Sequence, residues 1–382
     1  MPGVVVTIAL LLLASCGVLV VRAGRGRLLV INTLMVAASL GLAAGASEVA
    51  VRLMAAEKYH PLVPSPERGL FWRYHDRLGW AHRPGARGRF RKPGFFDTTV
   101  TINAAGFRDR DHDAARLPGI SRVVVIGDSI IWGYGVEDDE VFSQLLERAD
   151  PAVEWVNLGV SGYATDQESL LLESEGIRYS PDVVLAEVCD NDFDGNVRDQ
   201  VYHIYPKPSF RLRDGELDLT NVPVPKALPA DRTLYELETR SYLWRFLRLR
   251  PGSQDLIDAA LRGLRQVRLS RVAQPPDAPG DSERLTLALL ARTQAITEAA
   301  GARLALFIVA PMPPAHRELV AGFGGEHGVP VLDLHPVFAE ARSRPGSPPL
   351  LFWRDQHWTP AGHRVVAEAV GRWLGSSGLL TK

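Results

Sequence analysis

Four short polar clusters carry side chains and backbone positions suited to acyl chemistry. The first is Gly127-Asp128-Ser129, directly after the apolar run Val123-Val124-Val125-Ile126. A serine hydroxyl is a weak nucleophile until a base takes its proton and donors await the developing oxyanion. The second, Asn157-Leu158-Gly159-Val160-Ser161-Gly162-Tyr163, has glycines that let a backbone N–H approach a substrate oxygen with no Cβ in the way. The third, Asn191-Asp192, supplies an amide donor. The fourth is Asp355-Gln356-His357. In an extended segment residues two apart point to one side, so Asp355 reaches the ring of His357 and fixes its tautomer. Gly-Asp-Ser alone is a common turn tripeptide. Four such clusters at four strand ends are not expected of turns alone.

The elements between the clusters follow from apolar periodicity. Residues 123–126, 153–158, 182–188, 303–310 and 329–334 read as buried strands. Between them the pattern predicts helices over 138–148, 166–178 and 283–300, with a further helix before the fifth strand. A last helix begins at Thr359-Pro360, a hydroxyl N-cap followed by proline. Strands alternating with helices imply a parallel sheet covered on both faces, a flavodoxin-like α/β/α sandwich. Ligands of such folds bind at the carboxyl edge of the sheet, where all four clusters fall.

Two stretches do not fit this alternation. Residues 57–120, rich in Pro, Gly, Arg and aromatics with one alternating run at 98–103, read as a stalk and small β region. Residues 195–281 are too long for a plain loop. They read as an inserted subdomain: a hairpin around Asp214-Gly215, helices over 234–249 and 255–269, then a Pro-rich stretch. Beside the site, this insertion suits a lid or substrate wall.

Residues 1–56 read as a membrane anchor of two apolar helices. Gly3 to Val21 carries no charge and is long enough to span a bilayer; a second run extends from Leu28 to Ala46. Arg22, Arg25 and Arg27 between them are held to the cytoplasm by the positive-inside bias, which puts everything after the anchor outside. Lipidation at Cys16, or a cleaved signal followed by one anchor, would place the later residues on the same side. A formal net charge of −1 gives no reason to propose nucleic acid. The two cysteines, Cys16 and Cys189, cannot make a zinc site alone, and no metal or organic cofactor is expected.

The order Ser129, Gly162, Asn191, Asp355, His357 resembles the SGNH/GDSL hydrolase superfamily over about residues 120–375. The segment Ile102-Asn103-Ala104-Ala105-Gly106-Phe107-Arg108 is similar to its membrane-anchored bacterial members. The resemblance implies that Ser129 is the nucleophile, His357 the base and Asp355 its orienting carboxylate. The oxyanion would be held by the N–H groups of Ser129 and Gly162 and the side chain of Asn191. Two features depart from the family. Cys189 stands where glycine is often found two places before the Asn. Asp355 and His357 are two apart where three is usual, a spacing similar to some polysaccharide O-acetyltransferases.

Other polar residues have plainer readings. Asp190 to Gly195 imitates the start of a calcium loop, but Val201 falls where a bidentate Glu is needed. Asp128 reads as the cap of its own turn, and Ser161 lacks a nucleophile elbow. His335 and His363 read as structural. Trp132, Tyr134 and Tyr163 suit either a sugar subsite or packing. The resulting functional expectation is cleavage of an ester, an O-acetyl group on an extracytoplasmic glycan or a small-molecule ester. O-acyl transfer onto a surface polysaccharide is the alternative, and a silent glycan-binding or assembly protein the third reading. A flavin-binding flavodoxin fits the sheet, but the loop after the first strand lacks a hydroxyl-rich phosphate cradle.

Overall fold

The structure, a computed structural model, describes residues 25–55, 68–92, 95–201, 205–227, 235–237, 239–250, 280–353 and 355–380. It divides into two compact units, Met1–Val63 with Thr233–Ser270, and Pro64–Arg232 with Arg271–Lys382.

In the first unit, α1 (Arg25–Ala55) is one continuous helix. Its Val30–Ala55 portion is long and apolar enough to cross a membrane. Two expectations change here. Arg25 and Arg27 fall in the first turn of the helix rather than in a loop, and the helix runs past Ala46. Glu48 and Arg52, one turn apart, support that extension by pairing at 2.8 Å. The Glu48 carboxylate also accepts from Ser241 Oγ and from the N–H groups of Tyr242 and Leu243 at 2.8–2.9 Å, capping the short helix Tyr242–Arg248. The expected first span and the helix over 255–269 lie outside the described residues.

The second unit opens with two antiparallel hairpins. β1 (Trp72–His75) pairs with β2 (Gly79–His82), and β3 (Arg87–Lys92) with β4 (Phe96–Thr101). The central sheet follows, from β5 (Ser121–Ile126), β6 (Val153–Asn157) and β7 (Val183–Val188). A third hairpin, β8 (Ser209–Arg213) and β9 (Glu216–Thr220), turns at Asp214-Gly215, both with positive φ as the tight turn requires. β10 (Arg303–Ile308) and β11 (Val331–Asp333) complete the sheet. Its order is β11-β10-β7-β5-β6, every pairing parallel. In chain order this is the 2-1-3-4-5 arrangement of flavodoxin-like folds, whose order reverses between β5 and β7.

Side chains alternate across β5 and so divide the core in two. Val124 and Ile126 face one cluster, packed by α4 (Thr165–Ser174), α6 (Asp281–Ala299) and α7 (Pro314–His327). Val123 and Val125 face the other, packed by α3 (Phe142–Ala149), α8 (Leu334–Ser343) and α9 (Pro360–Ser376). The sheet is therefore buried on both faces, as its continuous apolar runs require. The N-terminal hairpins belong to the first cluster through Trp72, Trp80, Phe90 and Val100.

Candidate active site

Ser129 is the first residue of α2 (Ser129–Trp132), a single turn launched from the end of β5. As the first helical residue, its N–H lies ahead of the helical hydrogen-bond ladder. Asp128 caps that turn by accepting from Ile130 N at 2.8 Å, and its other oxygen accepts from Asn191 Nδ2 at 3.1 Å. It is a support between two strand ends, as its turn position implied. Arg108, 2% exposed, holds the loop beyond Ser129. Its guanidinium donates to the carbonyls of Trp132 (3.2 Å) and Val136 (2.6 Å) and to Asp138 (2.7 Å).

His357 Nε2 lies 2.8 Å from Ser129 Oγ. Its Nδ1 meets Asp355 Oδ1. A carboxylate can only accept, so Nδ1 carries the hydrogen and Nε2 presents a lone pair to the serine. The expectation of an extended segment is corrected here. His357 N donates to Asp355 Oδ1 at 3.1 Å, so the pair is joined by an Asx turn rather than by strand alternation. The second oxygen of Asp355 accepts from Lys92 Nζ at 2.6 Å. Burial opposes the charge of Asp355, yet His357 and then Lys92 hold its carboxyl well below the usual carboxylate range. Tyr134 stacks on the imidazole, centroids 4.1 Å apart.

The oxyanion side is built by the loops after β6 and β7. Gly162 has φ +85°, a conformation natural to glycine, and its N–H makes no backbone hydrogen bond among the described residues. Gly159 lies so close to α2 that a Cβ there would stand 2.4 Å from Trp132 N. Asn157 ties the loop after β6 to α2, donating to Ile131 O at 2.7 Å and accepting from Gly159 N at 2.9 Å. Trp80 of β2 donates to Ser161 O at 3.1 Å. Asn191, exposed at the start of α5 (Asp190–Asn196), uses one amide hydrogen on Asp128 and has a second for a ligand. Cys189 does not disturb this loop. Its φ of −106° is ordinary, so the position needs no glycine, and its N–H is capped by Asp192 at 2.8 Å.

The remaining candidates fall into place around this line. Trp132 and Tyr163 are 0% and 1% exposed and are packing, which leaves Tyr134 as the one of the three at the reacting groups. His363 is buried and accepts from Phe142 N. His335 is held by Asp333 and Met312. Asp128, Glu187 and Cys189 bring three ligand atoms within 4.8 Å of one another. Each carboxylate oxygen there already accepts a hydrogen bond. Burial, with Asp128 beside it, pushes the Glu187 carboxyl well above its usual range, toward a neutral acid rather than a ligand. Sequence reasoning missed Arg108 as a loop support, and missed Lys92 and Trp80 altogether. Only the Arg108 segment carried a local signal.

A parallel sheet whose reversal point carries a serine, a histidine and a carboxylate in hydrogen-bonded line defines a serine hydrolase of the α/β/α type. The chain belongs to the GDSL-like lipase/acylhydrolase family, whose model matches residues 125–365, and it is an ester-cleaving serine hydrolase. No curated protein matches it. Among solved structures it is similar to a lipolytic G-D-S-L protein of Veillonella parvula, at 12% identity over 65% of this chain and 96% of that one, TM-score 0.37. It is also similar to a lipase/acylhydrolase of Enterococcus faecalis, at 14% identity over 68% and 97%, TM-score 0.36. A GDSL-like lipase of Bacteroides thetaiotaomicron aligns at 12% identity over 67% and 89%, TM-score 0.36.

Proposed function

We propose that Ser129 removes an O-acetyl group from an extracytoplasmic glycan by way of an acyl-serine. His357 takes the hydroxyl proton as Ser129 Oγ adds to the acyl carbonyl. The N–H groups of Ser129 and Gly162 and the Asn191 amide stabilise the oxyanion, and Asp355 stabilises the imidazolium. The sugar alkoxide leaves with the proton from His357. Water then attacks the acyl-serine, giving its proton to His357, and acetate departs as Ser129 is restored.

The observation that carries this reading is the 2.8 Å approach of His357 Nε2 to Ser129 Oγ, with Asp355 on the other nitrogen. A silent binding protein has no need of that alignment. Asn191 is exposed and keeps a second amide hydrogen for a substrate oxygen. The apolar span in α1, preceded by Arg25 and Arg27, supports a membrane anchor with the catalytic unit outside.

The test is acetate release from O-acetylated polysaccharide, with fluorophosphonate labelling that Ser129→Ala abolishes. Labelling that persists and maps to Ser161 overturns the assignment. Transfer would run through the same acyl-serine, so a pre-formed acetyl-enzyme is given water alone or with millimolar oligosaccharide. Acetyl that stays in water but moves to sugar replaces hydrolysis with transfer. Alkaline phosphatase fused after Lys382 is active if the catalytic unit lies outside, and inactive if the topology is reversed.

A further inference from the structure

We infer that Lys92 is a positioning residue for the base: from the β3–β4 hairpin it shares the Asp355 carboxylate with His357 and offsets part of the negative charge that the imidazole meets. The inference rests on the proposed Ser129 chemistry.

Lys92, Phe90 and Phe96 bring this hairpin to the site. Lys92 Nζ stands 2.6 Å from Asp355 Oδ2, the oxygen that His357 does not use, with the carboxylate 10% exposed. The ammonium lies over Phe95 at 4.4 Å and over Tyr134 at 5.9 Å, so aromatic faces hold it in place. Phe90 and Phe96 of the same hairpin pack edge-on to Tyr134 at 5.4 and 5.0 Å, and Tyr134 in turn covers the face of His357. The hairpin therefore fixes both the carboxylate and the ring. It is anchored at Thr99, whose N–H donates to Glu137 at 3.0 Å.

The electrostatic consequence has a definite sign. A lone Asp355 carboxylate would face the imidazolium with its full charge. Lys92 offsets part of that charge, so removing the ammonium leaves the imidazolium the more strongly stabilised form. Among the described residues, the titratable groups facing His357 are Asp355, Tyr134 and, through Asp355, Lys92. The buried His363 of α9 lies within electrostatic reach.

The experiment measures kcat/KM against pH for the full chain on a soluble acetyl ester, with Lys92→Met, Lys92→Arg and Arg317→Met. Arg317 makes the matching contact to Asp333 and is the control. Lys92→Met should move the acid limb up by roughly 0.5–1 pH unit. It should also lower kcat up to about tenfold at unchanged KM, as the ring loosens. Lys92→Arg should restore the limb, and Arg317→Met should leave it in place. Profiles of Lys92→Met and wild type that superimpose overturn the inference while leaving Ser129 chemistry intact. So does an equal shift in Lys92→Arg and Lys92→Met. Wild-type protein without activity on any ester would instead overturn the underlying reading. Should Lys92→Met fail to fold, Lys92→Gln replaces it in the same comparison.

Discussion

Asp333-Leu334-His335 and Asp355-Gln356-His357 are built alike. In each, the carboxylate accepts from the histidine's backbone N–H and from its Nδ1. In each, the second oxygen is held by a distant cation, Arg317 for Asp333 and Lys92 for Asp355. The difference is at Nε2. His335 spends that lone pair on Met312 N–H at 2.8 Å, whereas His357 directs it at Ser129 Oγ, also at 2.8 Å. A backbone N–H donates and keeps its proton; a serine hydroxyl can give its proton up. An Asp-x-His turn with a cation on its second carboxylate oxygen therefore makes an oriented imidazole, and chemistry depends on what the fold brings to its far nitrogen.

The comparison breaks most sharply at the far nitrogen. Ser129→Ala or His357→Ala should lower kcat by about 10⁴ or more, while His335→Ala should retain kcat within about twofold. Steady-state kinetics on a soluble ester decide this. An inactive but folded His335→Ala enzyme would mean that the wrong histidine has been named the base.

One step back along each pair, Asp355→Asn should cost about 10³–10⁴ in kcat by favouring the wrong tautomer. Asp333→Asn should leave kcat unchanged. Comparable kinetic losses in both would show that the carboxylates act through shared structure and not through their own histidines.

The third histidine sharpens the contrast through pH. Burial lowers His363 to about 3, so the folded protein keeps it neutral while the unfolded chain protonates it near 6.5. Its contribution is intact above 6.5 and is lost as pH falls below it, by about 2 kcal/mol at pH 5. Urea unfolding at pH 7 and pH 5 should show His363→Gln losing less stability on acidification than wild type. An unchanged difference would show that His363 takes up its proton in the folded state. His82, lowered by burial to about 4, adds a loss of the same sign in both proteins and cancels from the comparison.

The smallest effect belongs to the structural pair. His335→Ala leaves Met312 N–H without its acceptor and should cost about 1–2 kcal/mol, read from urea midpoints at pH 7. No loss would make His335 dispensable and leave its likeness to His357 without a structural use.

The sheet was legible because each of its strands is a short apolar run between turn residues. The 121–126, 153–157 and 183–188 strands lie within two residues of the expected ends. Ser129 was legible for a related reason, in a short motif at the end of β5. His357 was legible only as an Asp-x-His motif, since it lies in the loop between α8 and α9 and not at the end of β11 where the sequence pattern placed it. Lys92 was not, because a lysine closing a hairpin carries no mark of a carboxylate that lies 263 residues away. The two Asp-x-His pairs are alike in sequence too, and local sequence cannot say which imidazole will find a hydroxyl. Trp132 and Tyr163 read equally well as sugar walls until their complete burial assigned them to the core.

Ser129 and His357 are separated by 228 residues. At ordinary synthesis rates Ser129 emerges roughly 10–45 s before His357. During that interval the growing chain holds a serine that nothing can deprotonate. On the proposed roles, reactivity toward esters is deferred until the loop before α9 brings His357 to Ser129. A product truncated anywhere before residue 357 should be chemically inert, whatever part of the sheet it manages to fold.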